Sequence, residues 1–128
     1  MNLYEVALPA FDNNAKSYGT AVEAWARRAL KKAGGYTEMG TRGGVWRDPA
    51  DGTVYRETMY WFSVACAPDV MGQLMQEAFS LFPDQKAIFL AKVGTAEIVE
   101  RPVCSHCGRQ AADNSACGIG GCPLGNDL

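Results

Sequence analysis

Apolar residues recur along this chain at two different periods, and the switches between them mark out its elements. Residues 3–11 (Leu-Tyr-Glu-Val-Ala-Leu-Pro-Ala-Phe) read as a first strand. Asp12, Asn13 and Asn14 then supply turn and helix-capping chemistry, since a short side-chain oxygen can take up an otherwise unpaired helical N–H. From Ala15 to Ala33 the pattern changes. Tyr18, Val22, Trp25, Ala29 and Ala33 follow one another at steps of four, three, four and four, which places them on one face of a helix. Gly34-Gly35 ends it, because glycine accepts the left-handed backbone that a helix C-cap requires.

A hairpin comes next, with Tyr36 to Arg47 and Thr53 to Ala67 as its strands and Asp48-Pro49-Ala50-Asp51-Gly52 as its turn. Glycines at 40, 43 and 44 predict a bulge in the first of these strands. Met59 to Ala65 is apolar at every step but one, so it reads as a central strand. Pro68 and Asp69 open a second helix whose buried stripe is Val70, Met71, Leu74, Met75, Ala78, Phe79 and Phe82, and Pro83 stops it. Lys86 to Val93 is a last strongly apolar strand. Gly94-Thr95 reads as a turn into a fifth strand, Ala96 to Glu100, in preference to a bend within one long strand.

The order β-α-β-β-α-β predicts an α+β, ferredoxin-like domain over residues 1–100: one antiparallel sheet with two helices on one face. Single apolar stripes on both helices suit one covered sheet face. The hairpin carries a resemblance as well. Gly44-x-Trp46-Arg47-Asp48 followed by Gly52-x-x-x-Arg56-Glu57 resembles a pattern in small, uncharacterised ferredoxin-like families. The likeness spans residues 35–67 and implies the fold; it implies no mechanism, and a cysteine tail is a departure from it.

That tail, residues 101–128, is set off by Arg101-Pro102, after which apolar periodicity stops. Cys104, Cys107, Cys117 and Cys122 are spaced Cys-x2-Cys-x9-Cys-x4-Cys. Two residues between the first pair let both sulfurs reach one tetrahedral ion, so the segment resembles a zinc knuckle or ribbon. Four thiolates predict a structural Zn2+ site with no open coordination position. An iron–sulfur cluster uses the same ligand set, His106 is an alternative ligand, and disulfides or free thiols remain open. Cys66, at the end of an apolar strand, reads as a small buried residue.

Composition narrows the function. The 128 residues are 48% hydrophobic and 20% charged, with a formal net charge of −2. Such a chain folds around an apolar core, and its charge argues against a general polyanion binder. The tail sets Arg101 and Arg109 against Asp113 and Asp127, which offers little to phosphates. The N-terminus lacks a basic, apolar leader, and no run reaches the roughly eighteen apolar residues that span a bilayer. A cytoplasmic location without membrane contact is expected, and thiols there stay reduced. The one histidine lies inside the cysteine motif, so a Ser-His or Cys-His nucleophile system has no free base. Walker and Rossmann glycine loops are absent, and the carboxylates form no evident couple. An enzyme is the less favoured reading.

The first reading is therefore a non-enzymatic binding or regulatory module working through protein contacts, with homodimerisation through an open sheet face. Arg42, Trp46, Arg47, Arg56, Glu57 and Tyr60 form its candidate partner or ligand surface, as guanidinium groups beside an aromatic plate suit anionic or planar groups. The commoner alternative pairs Arg47 or Arg56 with Asp48 or Glu57 and packs Trp46 on the helices. A second reading is nucleic-acid binding through Arg27, Arg28, Lys31 and Lys32 with the hairpin arginines; the bland account of that cluster is a solvated helix end. A third is a small-molecule binder or enzyme of the dimeric ferredoxin-like kind, with its pocket between sheet and helices and Trp46, Arg56 and Tyr60 lining it.

Overall fold

The chain lays down β1 (Asn2–Pro9), α1 (Gly19–Ala33), β2 (Thr37–Arg47), β3 (Val54–Cys66), α2 (Pro68–Leu81) and β4 (Phe89–Thr95). This is a computed structural model, and it describes residues 1–102. Met1–Ala96 form one compact unit, to which the described residues from Glu97 on do not belong.

The four strands form one sheet in the order β2-β3-β1-β4, and every neighbouring pair is antiparallel. Strand alternation assigns the faces. Tyr4, Val6 and Leu8 of β1 and Phe62, Val64 and Cys66 of β3 point to one side, where they meet Val22, Trp25, Ala26 and Ala29 of α1 and Met71, Leu74 and Ala78 of α2. Both helices thus cover the same face. Trp25 is fully buried there, and its Nε1–H donates to the Leu74 carbonyl oxygen at 3.0 Å, which ties α1 to α2. The space between sheet and helices is closed by Trp25, Phe62, Met71, Leu74 and Phe82. The sheet–helix pocket of the third reading is filled among the described residues, because large side chains meet there from three elements.

Local chemistry explains the boundaries. Gly34 caps α1 at φ 86°, with its N–H bonded to the Leu30 carbonyl. Pro68 starts α2 from an extended Ala67. Gly40, at φ 80°, lies in the β2 bulge between Glu38 and Thr41 that the glycines predicted.

The helix start was misplaced. Asp12 Oδ1 accepts from the N–H groups of Asn14 and Lys16, at 2.8 and 2.9 Å, and so builds a turn instead of capping a helix. The helix begins at Gly19, with Tyr18 as its uncapped N-cap.

Two further expectations fail. Phe79 is 45% exposed, so it lies outside the buried stripe of α2. Gly94 and Thr95 continue β4, paired with Leu3 and Asn2, and no fifth strand follows among the described residues. Pairing to β1 carries the backbone straight through Gly94-Thr95, leaving no turn to begin another strand.

Candidate functional site

The second face of the sheet has no helix on it among the described residues. Alternation brings Ala7 and Pro9 of β1 to this side, with Tyr55, Glu57, Met59 and Trp61 of β3. Cross-strand register adds Arg42, Gly44 and Trp46 from β2, opposite Met59, Glu57 and Tyr55, and Phe89 from β4, opposite Ala7. Trp46 stacks on Tyr55 with ring centroids 4.6 Å apart and planes 17° apart. The Trp61 and Phe89 rings meet at 5.3 Å from the two strands flanking β1, above the buried Ala7. The Arg42 guanidinium carbon lies 5.7 Å from the centre of the Trp61 ring, a cation–π distance. Trp61 Nε1 is buried without a hydrogen-bond acceptor among the described residues.

Between these rings and the α2–β4 connection lies an open cavity of about 590 Å³. Trp46, Tyr55, Met59, Trp61 and Phe89 supply its apolar wall, and Asp48, Glu57, Asp84 and Lys86 are its charged residues. Gly44 belongs to the same wall. A Cβ there would stand 2.2 Å from Met59 Cε, so glycine is what allows Met59 to lie flat across β2.

A hydrogen-bonded tie frames one end. Tyr18 O–H donates to Asp84 Oδ1, the Asn13 N–H donates to Asp84 Oδ2 at 2.7 Å, and Gln85 Nε2 donates to Asp84 Oδ1 at 3.2 Å. These donors hold the Asp84 carboxyl below its ordinary range, with Tyr18 the largest cause. The Tyr18 hydroxyl is pushed up to about 12, first by desolvation and then by its bond to Asp84. At the hairpin tip, the Asp51 carboxyl is also lowered, chiefly by the Thr53 N–H and further by the charge of Lys86.

The six hairpin candidates do not form one surface. Arg42, Trp46 and Glu57 share the uncovered face, while Arg47, Arg56 and Tyr60 belong to the opposite one, with Tyr60 packed against the core. The period of two in a strand separates them. Among the described residues, neither Arg47 nor Arg56 forms an ion pair with Asp48 or Glu57; Trp46 stacks on Tyr55 and stays 40% exposed instead of packing on helices. In the basic cluster, Lys32 pairs with Glu77 at 3.0 Å and bonds Gln73 Oε1 at 3.2 Å, which draws it to α2, while Arg27 and Lys31 are exposed. Cys66 is buried, as read, and its thiol is pushed up by desolvation and then by Asp69. Cys104, Cys107, Cys117 and Cys122 lie outside the described residues. Among the described residues, no group of three or more metal-ligating side chains comes together.

Sequence reasoning missed Tyr55, Met59, Trp61, Lys86 and Phe89. A signal existed for three of them: Met59 and Trp61 belong to a strand apolar on both faces, and Phe89 to another apolar run.

Fold and site define a class, the ferredoxin-like α+β domain, here with an aromatic sheet face that none of the described residues covers. Solved structures of similar shape include divalent cation tolerance proteins. The CutA1 protein of Thermus thermophilus superposes with a TM-score of 0.58 at 12% identity, over 77% of this chain and 86% of its own. The periplasmic CutA of Archaeoglobus fulgidus gives 0.56 at 12%, over 77% and 87%. A variant of CutA1 from Pyrococcus horikoshii gives 0.55 at 10%, over 78% and 88%. At such identity the likeness is one of fold. No protein-family model matches the chain, and no curated protein matches it.

Proposed function

We propose that this chain is a non-enzymatic binding or regulatory module that works through protein contacts of its uncovered sheet face, with a second copy of itself as first partner. One observation carries the reading: an aromatic surface that nothing among the described residues covers. Trp46, Tyr55 and Phe89 on that face are between 37% and 52% exposed, and exposed aromatic surface of this kind marks an interaction site.

The hairpin adds to it. Residues 44–47 and 54–57 pair with each other, beyond the last β1–β3 pair, Pro9 with Met59. A two-stranded ribbon gains little stability alone in water, so a neighbouring chain packed on it has a physical reason to be there. The orphaned Trp61 N–H would find an acceptor in such a contact.

The cysteine tail, residues 101–128, completes the proposal. Cys104, Cys107, Cys117 and Cys122 hold one structural Zn2+ whose binding folds the tail, in a cytoplasmic protein that keeps its thiols reduced. The solved structures of similar shape are described as divalent cation tolerance proteins, which agrees with a metal-linked role.

Sedimentation velocity over a range of concentrations tests the first part, with a reversible shift to a larger species expected. A single monomeric species at every concentration would refute self-association. Metal analysis of the purified chain tests the second: about one zinc per chain is expected, and four freely titratable tail thiols with no metal would sink it.

A further inference from the structure

We propose that the cavity on the uncovered face is a binding site for a small organic cation with a planar or methylated head, held by aromatic rings and by the Glu57 carboxylate. The inference deepens the reading of that face as the binding surface and names a ligand class for it.

Three observations converge. The wall is aromatic, formed by Trp46, Tyr55, Trp61 and Phe89, and the negative faces of such rings attract cations. The lining charges lean negative, with Asp48, Glu57 and Asp84 against Lys86. Of these carboxylates, Asp84 is engaged by Tyr18, Asn13 and Gln85, and Asp48 Oδ1 accepts the Ala50 N–H at 2.9 Å. Glu57, half-buried, has no hydrogen bond or ion pair among the described residues and is the anion left over. Third, the protein already places a cation against one ring of this wall: the Arg42 guanidinium, itself outside the cavity lining, sits 5.7 Å from the centre of the Trp61 ring. The Trp61 ring therefore accepts a cation in this geometry, and the cavity of about 590 Å³ has room for another.

An anion is disfavoured by the same census. It would face Glu57 across an apolar wall, with Lys86 as the one lining cation among the described residues, and Lys86 lies near enough to Asp51 to lower that carboxyl.

The test uses the full chain, intrinsic tryptophan fluorescence and three probes of like size: benzyltrimethylammonium, benzyl alcohol and benzoate. Saturable binding is expected for the cation, tighter than for the neutral alcohol by roughly tenfold, with benzoate weakest. Glu57→Gln should weaken the cation by roughly three- to fivefold and leave the alcohol unchanged. Arg42→Gln should tighten the cation by vacating the Trp61 face, whereas an anion site would weaken. Both side chains lie outside the core, so circular dichroism should show the variants folded. Equal or better binding of benzoate, indifference to Glu57→Gln, or no saturable binding of benzyltrimethylammonium would overturn the proposal. Sedimentation of the same samples keeps the two claims apart: self-association without cation binding refutes this inference alone, and cation binding to a strict monomer refutes the second-copy reading alone.

Discussion

Replacing Trp46 by alanine separates the two roles that the β2–β3 ribbon can have. Trp46 is 40% exposed and stacks on Tyr55, its direct cross-strand partner, at 4.6 Å. An aromatic pair of this geometry is worth about 0.5–1.5 kcal/mol beyond area burial. In an isolated chain, Trp46→Ala should therefore lower the unfolding free energy by about 1 kcal/mol, a fall in Tm of about 5 °C for a domain near this size. If a second copy covers the ribbon, the same side chain becomes a central aromatic anchor. Its loss should then weaken association by about 2 kcal/mol, or roughly 30-fold in Kd. Urea unfolding at a low protein concentration reads the first term, and sedimentation equilibrium reads the second. A double-mutant cycle with Tyr55→Ala isolates the stacking energy from the rest. Stability reduced as stated with an unchanged Kd would refute the placing of the interface on this ribbon. A cycle with no coupling would refute the stacked pair itself.

Three other outcomes are expected. Leu74→Ala, at a fully buried position beside Trp25, should cost about 3 kcal/mol by chemical denaturation, and a loss below about 1 kcal/mol would mean that α2 does not seal the core. Gly34→Ala has open space for its Cβ but forces alanine to φ 86°, so it should cost about 1–2 kcal/mol through backbone strain alone. The Tyr18–Asp84 tie sets a pH window. Tyr18 has a raised folded pKa, so its contribution is whole below its ordinary value of 10.0 and is lost as pH climbs towards about 12. Asp84 has a lowered folded pKa, so its contribution is present above the ordinary 3.8 and is lost as pH falls through the folded value. Tyr18→Phe should flatten the alkaline limb of a stability–pH curve, and an identical limb in both proteins would exclude the tie.

Much of this chain was legible residue by residue. The stripe Val22, Trp25 and Ala29, the stop at Gly34-Gly35, the start at Pro68 and the turn at Asp48–Gly52 rest on contacts within a few residues. Their physics is therefore written locally, and the element order follows from it. The bulge at Gly40 belongs to the same group, since a residue at positive φ announces itself in the sequence.

What pairing and packing decided was out of reach. Asp12 reads as a helix cap until its oxygen is seen closing a turn, and Asn13 is held by Asp84, 71 residues away. Gly94-Thr95 looks like a turn until β1 pairs with it. The candidate surface shows the difference most sharply: Arg42, Trp46, Arg47, Arg56, Glu57 and Tyr60 are close in sequence, yet the strand period sends them to two faces. The residues that join Trp46 and Glu57 there, Trp61 and Phe89, come from strands separated by β1, and only the sheet order β2-β3-β1-β4 brings them together. Sequence determines which residues prefer burial and where the backbone turns, because those preferences are local. Which apolar face finds a cover is decided by the whole sheet, and here two helices cover one face while none of the described residues covers the other.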